Sequence, residues 1–447
     1  MFYRNILSKL REWASNPDRK PLILRGARQV GKTTAVEEFS REFDNFIHLN
    51  LEKIGDARLF TEADTVSEIM EIVSFRQNIS VERGGKTLLF IDEIQTTPKA
   101  VALLRYFYEE MPYLYVIAAG SMLQSLLKER VSFPVGRVEY MQLAPCTFSE
   151  FLGAIGEEQY KNAIEEGRLP VALHAEVIKR FNTYAIIGGM PEIVSNYAEH
   201  RDLTRLKTIY NTLLKGYNED VEKYASTQKQ THIIRHILNT GWTKAGQTIT
   251  LTNFGGSSYL SKDVREAFTI MERAFLLELI YPATNVQIPI EVSYRRAPKL
   301  CWVDTGLVNF SANFQVELLE TRDILDSWKG AIAEQIVAQE LRVVCNNAHI
   351  DHLHFWVRNK KGSNAEVDFI WQHGNHIIPI EVKSGANAHL RSIQSFMDLS
   401  SGNVAVRVWN EKYSVDTVQT PKGKKFTLLN IPFYYVGILP ELLIREV

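Results

Sequence analysis

The chain reads PLILRGARQVGKT over residues 21–33, and this stretch decides the fold. Its first residues form a short apolar run typical of a buried strand, and the pattern of residues 34–43 predicts a helix. Between them, residues 26–33 fit G-x-x-x-x-G-K-[ST] without departure. Gly26 and Gly31 allow a tight loop whose backbone N–H groups surround an anion, beside the positive end of the helix. The stretch therefore predicts a phosphate-binding loop.

The polar side chains near this loop have predicted roles toward ATP and Mg²⁺. Lys32 is expected to reach the β- and γ-phosphates and Thr33 to ligate Mg²⁺, with Thr34 beside them at the nucleotide. A second apolar run, Leu-Leu-Phe-Ile, ends in Asp92 and Glu93. Asp92 is expected to hold the Mg²⁺ shell, and Glu93 to polarise the attacking water. The pair of motifs predicts a magnesium-dependent ATPase.

Two further residues are candidates for phosphate contacts. An apolar run at residues 115–119 is followed by Gly120-Ser121. Ser121 is interpreted either as a sensor of the γ-phosphate or as part of a simple turn. Arg137 is interpreted either as a cation that stabilises phosphate charge, in cis or in trans, or as an ordinary surface arginine.

Strands and helices alternate through this part of the chain. Residues 45–51 alternate like a strand, residues 87–91 and 115–119 are continuous apolar runs, and residues 99–110 have a helical pattern. Continuous apolar runs are typical of strands covered on both faces. The alternation predicts a mostly parallel sheet in an α/β fold.

Composition bounds the class of protein. The 447 residues are too many for one ordinary domain, and 45% hydrophobic with 23% charged residues is typical of a soluble globular protein. A net charge of −1 gives no overall attraction to nucleic acid or to an anionic membrane. Cys146, Cys301 and Cys345 lack metal-ligand spacing, and there is no run of about 18 apolar residues. We therefore expect free thiols, a cytoplasmic location and no membrane contact.

Acids and a lysine cluster toward the C-terminal end. Glu366-Val367-Asp368 is followed by Ile380-Glu381-Val382-Lys383, and QHGN at residues 372–375 predicts a hairpin turn between them. Strand alternation places Glu381 and Lys383 on one face, and pairing brings Asp368 beside them. A metal-assisted phosphodiesterase requires carboxylates that hold Mg²⁺ and a lysine that orients water. Asp368 and Glu381 are thus predicted metal ligands, and with Lys383 they are predicted catalytic residues.

The N-terminal motifs resemble those of bacterial and archaeal AAA-type ATPases related to the STAND group. The resemblance is carried by residues 26–33, by FIDEIQ at residues 90–95 and by Gly120-Ser121. That group has a Gly-x-Pro element whose proline touches adenine, and GGMP at residues 188–191 looks like it. The resemblance implies that Pro191 contacts adenine. A plain loop proline is the alternative.

The C-terminal cluster resembles the PD-(D/E)xK nuclease superfamily, whose fold is called restriction-endonuclease-like. The resemblance implies that Asp368 is the first acid and that Glu381 and Lys383 are the E-x-K pair. It also implies that Glu334, on a helix predicted at residues 329–341, is the additional glutamate of the Holliday-resolvase-like branch. Over nearly its whole length the chain looks like the bacterial ATPases that join an AAA domain to a DUF4143 domain, including KLCWVDTG at residues 299–306.

The predicted organisation has four parts. They are a P-loop AAA-type parallel-sheet domain at residues 1–155, a helical lid region at 156–227, a winged-helix-like domain at 228–290 and a restriction-endonuclease-like α/β domain at 291–447. Residues 282–298 are predicted to be a linker or loop. The helix after Ser261 carries both basic and acidic residues, which favours a packing role over reading DNA.

Two functional hypotheses follow. In the first, the nucleotide state controls a nuclease-like domain that acts on or binds nucleic acid. In the second, the protein is a nucleotide-operated switch whose C-terminal domain binds a partner and cleaves nothing. ATP and Mg²⁺ are the expected cofactors, DNA or a protein is the expected partner, and the resemblance allows either a ring or a monomer.

Overall fold

The structure is a computed structural model that describes residues 2–81, 84–120, 136–313, 330–347, 352–359, 365–383 and 390–446. The chain divides into two compact units. The first unit consists of Tyr3–Ala144 and Arg273–Phe275, and the second consists of Met1–Phe2, Pro145–Glu272 and Leu276–Val447. No helix in these described ranges has the length and apolar character needed to span a membrane.

The first unit contains a five-stranded parallel sheet in the order β2-β3-β4-β1-β5. Its strands are β1 (Leu22–Arg25), β2 (Asn45–Asn50), β3 (Thr87–Asp92), β4 (Tyr115–Ala119) and β5 (Glu139–Gln142). The helices described with it are α1 (Ile6–Ser15), α2 (Lys32–Phe39), α3 (Ile54–Glu62), α4 (Val66–Gln77) and α5 (Pro98–Glu110).

The buried strands explain why this sheet forms. Every residue of β3 is buried, as a continuous apolar run requires when both faces of a sheet are covered. Because all five strands are parallel, their carboxyl ends lie along the same edge. That edge carries the loop after β1, Asp92 at the end of β3 and Gly120 after β4.

The second unit is larger and combines helices with a mixed sheet. Its helices are α6 (Phe148–Ala154), α7 (Glu158–Glu165), α8 (His174–Ile187), α9 (Pro191–His200), α10 (Leu206–Tyr224), α11 (Gln228–Thr240), α12 (Ser261–Arg273), α13 (Thr305–Ser311), α14 (Ala331–Asn347), α15 (Arg391–Met397) and α16 (Leu439–Glu446).

Nine strands form the sheet of this unit in the order β13-β14-β12-β11-β10-β9-β7-β8-β6. They are β6 (Gln247–Thr248), β7 (Leu277–Ala283), β8 (Lys299–Trp302), β9 (His354–Val357), β10 (Glu366–His373), β11 (His376–Val382), β12 (Val404–Trp409), β13 (Ser414–Gln419) and β14 (Lys425–Pro432).

This sheet runs across the domain boundary that the sequence analysis places at residue 290. Strands β7 and β8 pair antiparallel, with Leu277 opposite Trp302, and β7 also pairs with β9. The stretch between β7 and β8 is therefore a connection within one sheet and does not link separate domains. Backbone pairing thus joins β7, from the segment predicted to be winged-helix-like, to β9 of the C-terminal segment, and this pairing has no signature in local sequence.

Strands β10 and β11 form the hairpin that QHGN predicts. His373 pairs with His376, and Gly374 in the two-residue turn has a φ of 54°, a conformation that glycine adopts without strain. Helix α15 then connects β11 to β12, which pair in parallel. Trp356, Phe396 and Met397 belong to one buried hydrophobic core of this unit. The hairpin places Asp368 and Glu381 on neighbouring strands.

Candidate functional site

The loop between β1 and α2 depends on unusual backbone conformations. Gln29 and Gly31 have φ values of 63° and 89°, and Gly26 has a φ of 147°. A Cβ atom on Gly26 would lie 2.2 Å from the carbonyl oxygen of Leu143. Only glycine fits this close approach, which is why the motif begins with it.

Lys32 lies at the start of α2 with its side chain directed into the loop. It is 8% exposed, and its Nζ donates to the carbonyl oxygens of Gly26 at 3.0 Å and Ala27 at 2.8 Å. Burial lowers the pKa of Lys32 to about 8, although the charges of Glu93 and Asp92 oppose that shift. The loop thus holds the ammonium group of Lys32 beside backbone N–H groups that can bind an anion.

Thr33 and Asp92 meet at the edge of the sheet. The hydroxyl of Thr33 donates to Oδ2 of Asp92 at 2.8 Å, and the backbone N–H of Glu93 donates to Oδ1 at 3.0 Å. Burial raises the pKa of Asp92, but His48, Thr33 and the Glu93 N–H together hold it below its usual value. A charged carboxylate and a hydroxyl, both oxygen ligands suited to Mg²⁺, therefore lie side by side.

His48 is a neighbour of this pair that the sequence analysis missed. Its Nε2 lies 3.8 Å from Oδ2 of Asp92, and its Nδ1 lies 3.9 Å from Oε1 of Glu37. His48 is opposite Phe90 in the parallel pairing of β2 with β3. The available signal was a polar residue between buried Ile47 and Leu49, but the partner strand could not be read locally.

The remaining predicted nucleotide residues have varied surroundings. Glu93 follows β3 with a φ of 53° and accepts a hydrogen bond from the Gln95 amide. Thr34 is exposed on α2. Arg137 donates to Oε1 of Glu109 at 2.9 Å, and both side chains are partly exposed. Ser121 lies outside the described residues.

In the second unit, the predicted acids converge on a lysine that was not predicted. Nζ of Lys299, on β8, lies 2.8 Å from Oε2 of Glu334, 2.9 Å from Oε1 of Glu366 and 3.4 Å from Oδ1 of Asp368. Burial lowers the pKa of Lys299, but the three carboxylates raise it above its ordinary value overall. The ring of Phe355 lies 4.9 Å from the same ammonium group. Lys299 is therefore a charged, buried centre of the cluster.

Sequence reasoning had one signal for Lys299. It opens a strand, KLCW, whose four residues are all buried, and a buried lysine requires acidic partners. Its partners Glu334 and Asp368 are 35 and 69 residues away, so no local pattern connects them.

The E-x-K pair completes the cluster from the neighbouring strand. Nζ of Lys383 lies 2.5 Å from Oε1 of Glu381, and the backbone N–H of Val382 donates to Oδ2 of Asp368 at 2.8 Å. Burial, followed by the charge of Asp368, raises the pKa of Glu381 to about 7, and the same two causes raise that of Glu334 to about 8. The structure thus brings Glu334, Asp368, Glu381 and Lys383 into one cluster.

One observation tests whether this cluster suits a cation. Oε2 of Glu381 is buried without a hydrogen-bond partner among the described residues. Such an atom is a suitable ligand for a cation. Against this, the described ranges contain no group of three or more His, Cys, Asp or Glu side chains that could hold a metal ion. Lys299 and Lys383 take the place of further cations beside the acids.

The GGMP element is packed inside the second unit. The backbone N–H of Gly189 donates to Oδ2 of Asp304 at 2.6 Å, and a Cβ on Gly189 would lie 2.1 Å from the Cys146 carbonyl oxygen. Asp304 also caps α13 by accepting from the N–H of Leu307. Pro191 begins α9, a favoured position for proline. The two glycines therefore have a packing role, and adenine contact by Pro191 stays a prediction.

The parallel sheet, the loop at residues 26–33 and the carboxylate at the end of β3 define the class of the first unit as a P-loop nucleotide-binding fold. Comparison with protein families agrees. Residues 18–152 match the family model described as AAA domain. An AAA-type P-loop ATPase domain supports nucleotide binding and hydrolysis.

Two other family models match further along the chain. Residues 178–317 match a domain of unknown function, DUF8612, and residues 329–434 match another, DUF4143. The resemblance to ATPases that join an AAA domain to a DUF4143 domain is therefore confirmed at the level of these domains. No curated protein matches the chain.

Solved structures that match part of this chain include a Walker-type ATPase of Pyrococcus abyssi, at 15% identity and a TM-score of 0.43, covering 70% of this chain and 96% of that one. The Orc1 protein of Aeropyrum pernix in complex with DNA has 14% identity and a TM-score of 0.29, covering 71% and 93%. The RuvB Holliday junction branch migration motor of Thermotoga maritima has 18% identity and a TM-score of 0.30, covering 66% and 93%.

Proposed function

We propose that this protein is a magnesium-dependent ATPase. The observation that carries the proposal is the 2.8 Å contact between the Thr33 hydroxyl and Oδ2 of Asp92. These side chains come from α2 and β3 and are 59 residues apart, yet they present two oxygen ligands together. Mg²⁺, when bound with ATP, neutralises phosphate charge at such a pair.

The other residues of the site have separate proposed roles toward ATP and the attacking water. Lys32 stays charged at neutral pH and is free to exchange its two carbonyl partners for phosphate oxygens. The backbone N–H groups of residues 26–33 surround the phosphates. Glu93 directly follows Asp92 and orients the attacking water. Thr34 and Ser121, with Arg137 and Pro191, are proposed as additional nucleotide contacts.

The Mg²⁺ dependence of ATP turnover tests this proposal. Thr33→Ala and Asp92→Asn should each raise the Mg²⁺ concentration needed for half-maximal turnover by about tenfold, since each removes one oxygen ligand or its charge. Thr61→Ala on α3 is the matched control and should behave like the unmodified protein. An unchanged Mg²⁺ requirement in both site variants would exclude the proposed metal position.

We further propose that the nucleotide state controls the C-terminal domain, whose fold is nuclease-like. The observation that favours a cation there is Oε2 of Glu381, which is buried and accepts no hydrogen bond from any residue that the structure describes. When all four carboxylates are ionised, the two ammonium groups of Lys299 and Lys383 leave two negative charges, the charge of one divalent cation. A bound cation would favour that ionised form over the protonated forms that the raised pKa values of Glu334 and Glu381 allow. Asp368 and Glu381 would hold that cation, and Lys383 would orient water or steady phosphate charge. Glu334 contributes from α14.

The alternative is a nucleotide-operated switch whose C-terminal domain binds DNA or a protein without cleavage. The observation that favours it is Lys299, which already supplies a cation to three of the acids. Plasmid nicking by the full chain, with and without ATP and Mg²⁺, separates the two functions. Nicking that Lys383→Ala abolishes supports the nuclease. Metal binding without any nicking supports the switch.

A further inference from the structure

Arg4 is a buried arginine that no role above explains. Its side chain belongs to the segment before α1, fourteen residues ahead of the region that matches the AAA domain. Only 8% of the residue is exposed. Its Nη1 donates to the carbonyl oxygen of Val30 at 3.1 Å, and its Nη2 donates to that of Ala144 at 2.8 Å. Arg4 thus joins the phosphate loop to the chain that follows β5.

The bond to Val30 controls the orientation of one loop peptide. Val30 is fully buried and lies between Gln29 and Gly31, both of which have positive φ. A peptide unit is planar and trans, so its C=O and N–H point in opposite directions. Holding the Val30 carbonyl on the side of Arg4 therefore turns the N–H of Gly31 away from Arg4. Without that bond, the glycine allows this peptide to rotate.

The bond to Ala144 anchors the same guanidinium group at the base of the loop. The preceding residue, Leu143, donates its N–H to the Arg25 carbonyl at 2.8 Å, and its own carbonyl is in close contact with Gly26. The two carbonyl groups that accept hydrogen bonds from Arg4 thus belong to backbone that shapes residues 26–33. A planar guanidinium presents its donors in a rigid fork, whereas the three donors of a lysine ammonium rotate at the end of a flexible stem and fix two carbonyls less firmly.

We infer that Arg4 is a positioning residue for the ATPase, which locks the peptide between Val30 and Gly31 so that the loop N–H groups face the phosphates. It acts through backbone carbonyls and does not touch the nucleotide. The inference rests on the proposed ATP site at residues 26–33. It also extends that site to an N-terminal segment outside the family match.

The experiment compares Arg4→Ala and Arg4→Lys in the full chain, with ATP as the ligand. Losing a buried hydrogen bond at the loop should raise the KM for ATP about tenfold in Arg4→Ala and change kcat less than about threefold. Arg4→Lys should recover only part of this loss, although it keeps the charge. Guanidinium ion added to Arg4→Ala should lower the KM again. Arg58→Ala, an exposed arginine of α3, is the matched control.

Hydrogen exchange and a second variant separate a positioning role for Arg4 from a general loss of stability. Hydrogen exchange of residues 26–33 should quicken in Arg4→Ala while exchange in β3 stays unchanged, which a general loss of stability would not produce. If Arg4→Ala fails to fold, Arg4→Lys is measured in its place, and its KM for ATP should also rise. An unchanged KM and unchanged loop exchange in the Arg4 variants, while Lys32→Ala still abolishes ATP binding, would overturn this inference alone. Unimpaired ATP binding by Lys32→Ala would overturn the ATP site itself.

Discussion

The ammonium group of Lys299 lies 2.8 Å from the carboxylate of Glu334, inside the second unit where only 3% of the lysine is exposed. This contact joins β8 to α14. Asp368 and Glu366 extend it to β10. A buried lysine with three carboxylates is thus both the electrostatic centre of the candidate site and a tie between three elements of the fold.

Replacing this lysine should destabilise the second unit strongly. Lys299→Met removes the charge that three buried or half-buried acids share, and leaving buried charge uncompensated costs about 3–5 kcal/mol. Chemical unfolding of the full chain measures the effect. Lys229→Met is the matched control, because Lys229 pairs with Asp263 on the surface and should change stability by less than about 1 kcal/mol. Equal unfolding midpoints for the two variants would contradict the role given to Lys299.

A divalent cation should bind at Asp368 and Glu381. Calorimetric titration of the nucleotide-free full chain with Mn²⁺ should show a site that Asp368→Ala removes, while ATP turnover stays within about twofold because the ATP site is elsewhere in the chain. Glu411→Ala changes an exposed acid of the same unit and should leave the titration unaltered. An identical Mn²⁺ stoichiometry in Asp368→Ala would remove the C-terminal metal site from the account.

The stability of the second unit should depend on pH through Glu340. This fully buried carboxylate accepts from the Tyr184 hydroxyl at 2.6 Å and from the Phe148 N–H at 3.1 Å. Burial raises its pKa to about 7 despite those two hydrogen bonds. Because the folded pKa exceeds the ordinary value, the stabilisation is complete below about pH 4.5 and is lost as pH rises through 7.

Glu340→Gln should remove that dependence. The shift corresponds to roughly 3 kcal/mol between the two limits. The amide keeps an oxygen acceptor for Tyr184 and Phe148, so the variant should match the unmodified protein near pH 5 and exceed it in stability at pH 8. Unfolding by denaturant at both pH values measures this. Glu71→Gln on α4, an exposed position, should show no such gain in stability at pH 8. A parallel pH dependence in Glu340→Gln and the unmodified chain would refute the prediction.

Local patterns allowed much of the fold to be predicted. The loop at residues 26–33 and its flanking elements follow from contiguous residues, and QHGN correctly predicted the β10–β11 hairpin. Such features depend on neighbours in sequence, so one sequence is enough to find them.

Contacts between distant residues could not be predicted in this way. Strand β13 was missed because it is exposed at the sheet edge and lacks a buried alternation. Strand β14 is largely buried, and the apolar residues in KFTLLNIP were a local signal that was overlooked. The pairing of β7 with β9 makes one sheet of two predicted domains. His48, Lys299 and Arg4 act on residues far away in sequence, and only the folded chain brings them together.

Glu93 directly follows Asp92 at the proposed ATP site, and ATP turnover by Glu93→Gln measures whether the chain hydrolyses ATP through this carboxylate. The amide cannot polarise water as a carboxylate does, so turnover should fall at least about 100-fold while ATP affinity stays within about threefold. Glu62→Gln, an exposed position on α3, should retain full turnover. ATP turnover by Glu93→Gln equal to that of the unmodified protein would contradict the account.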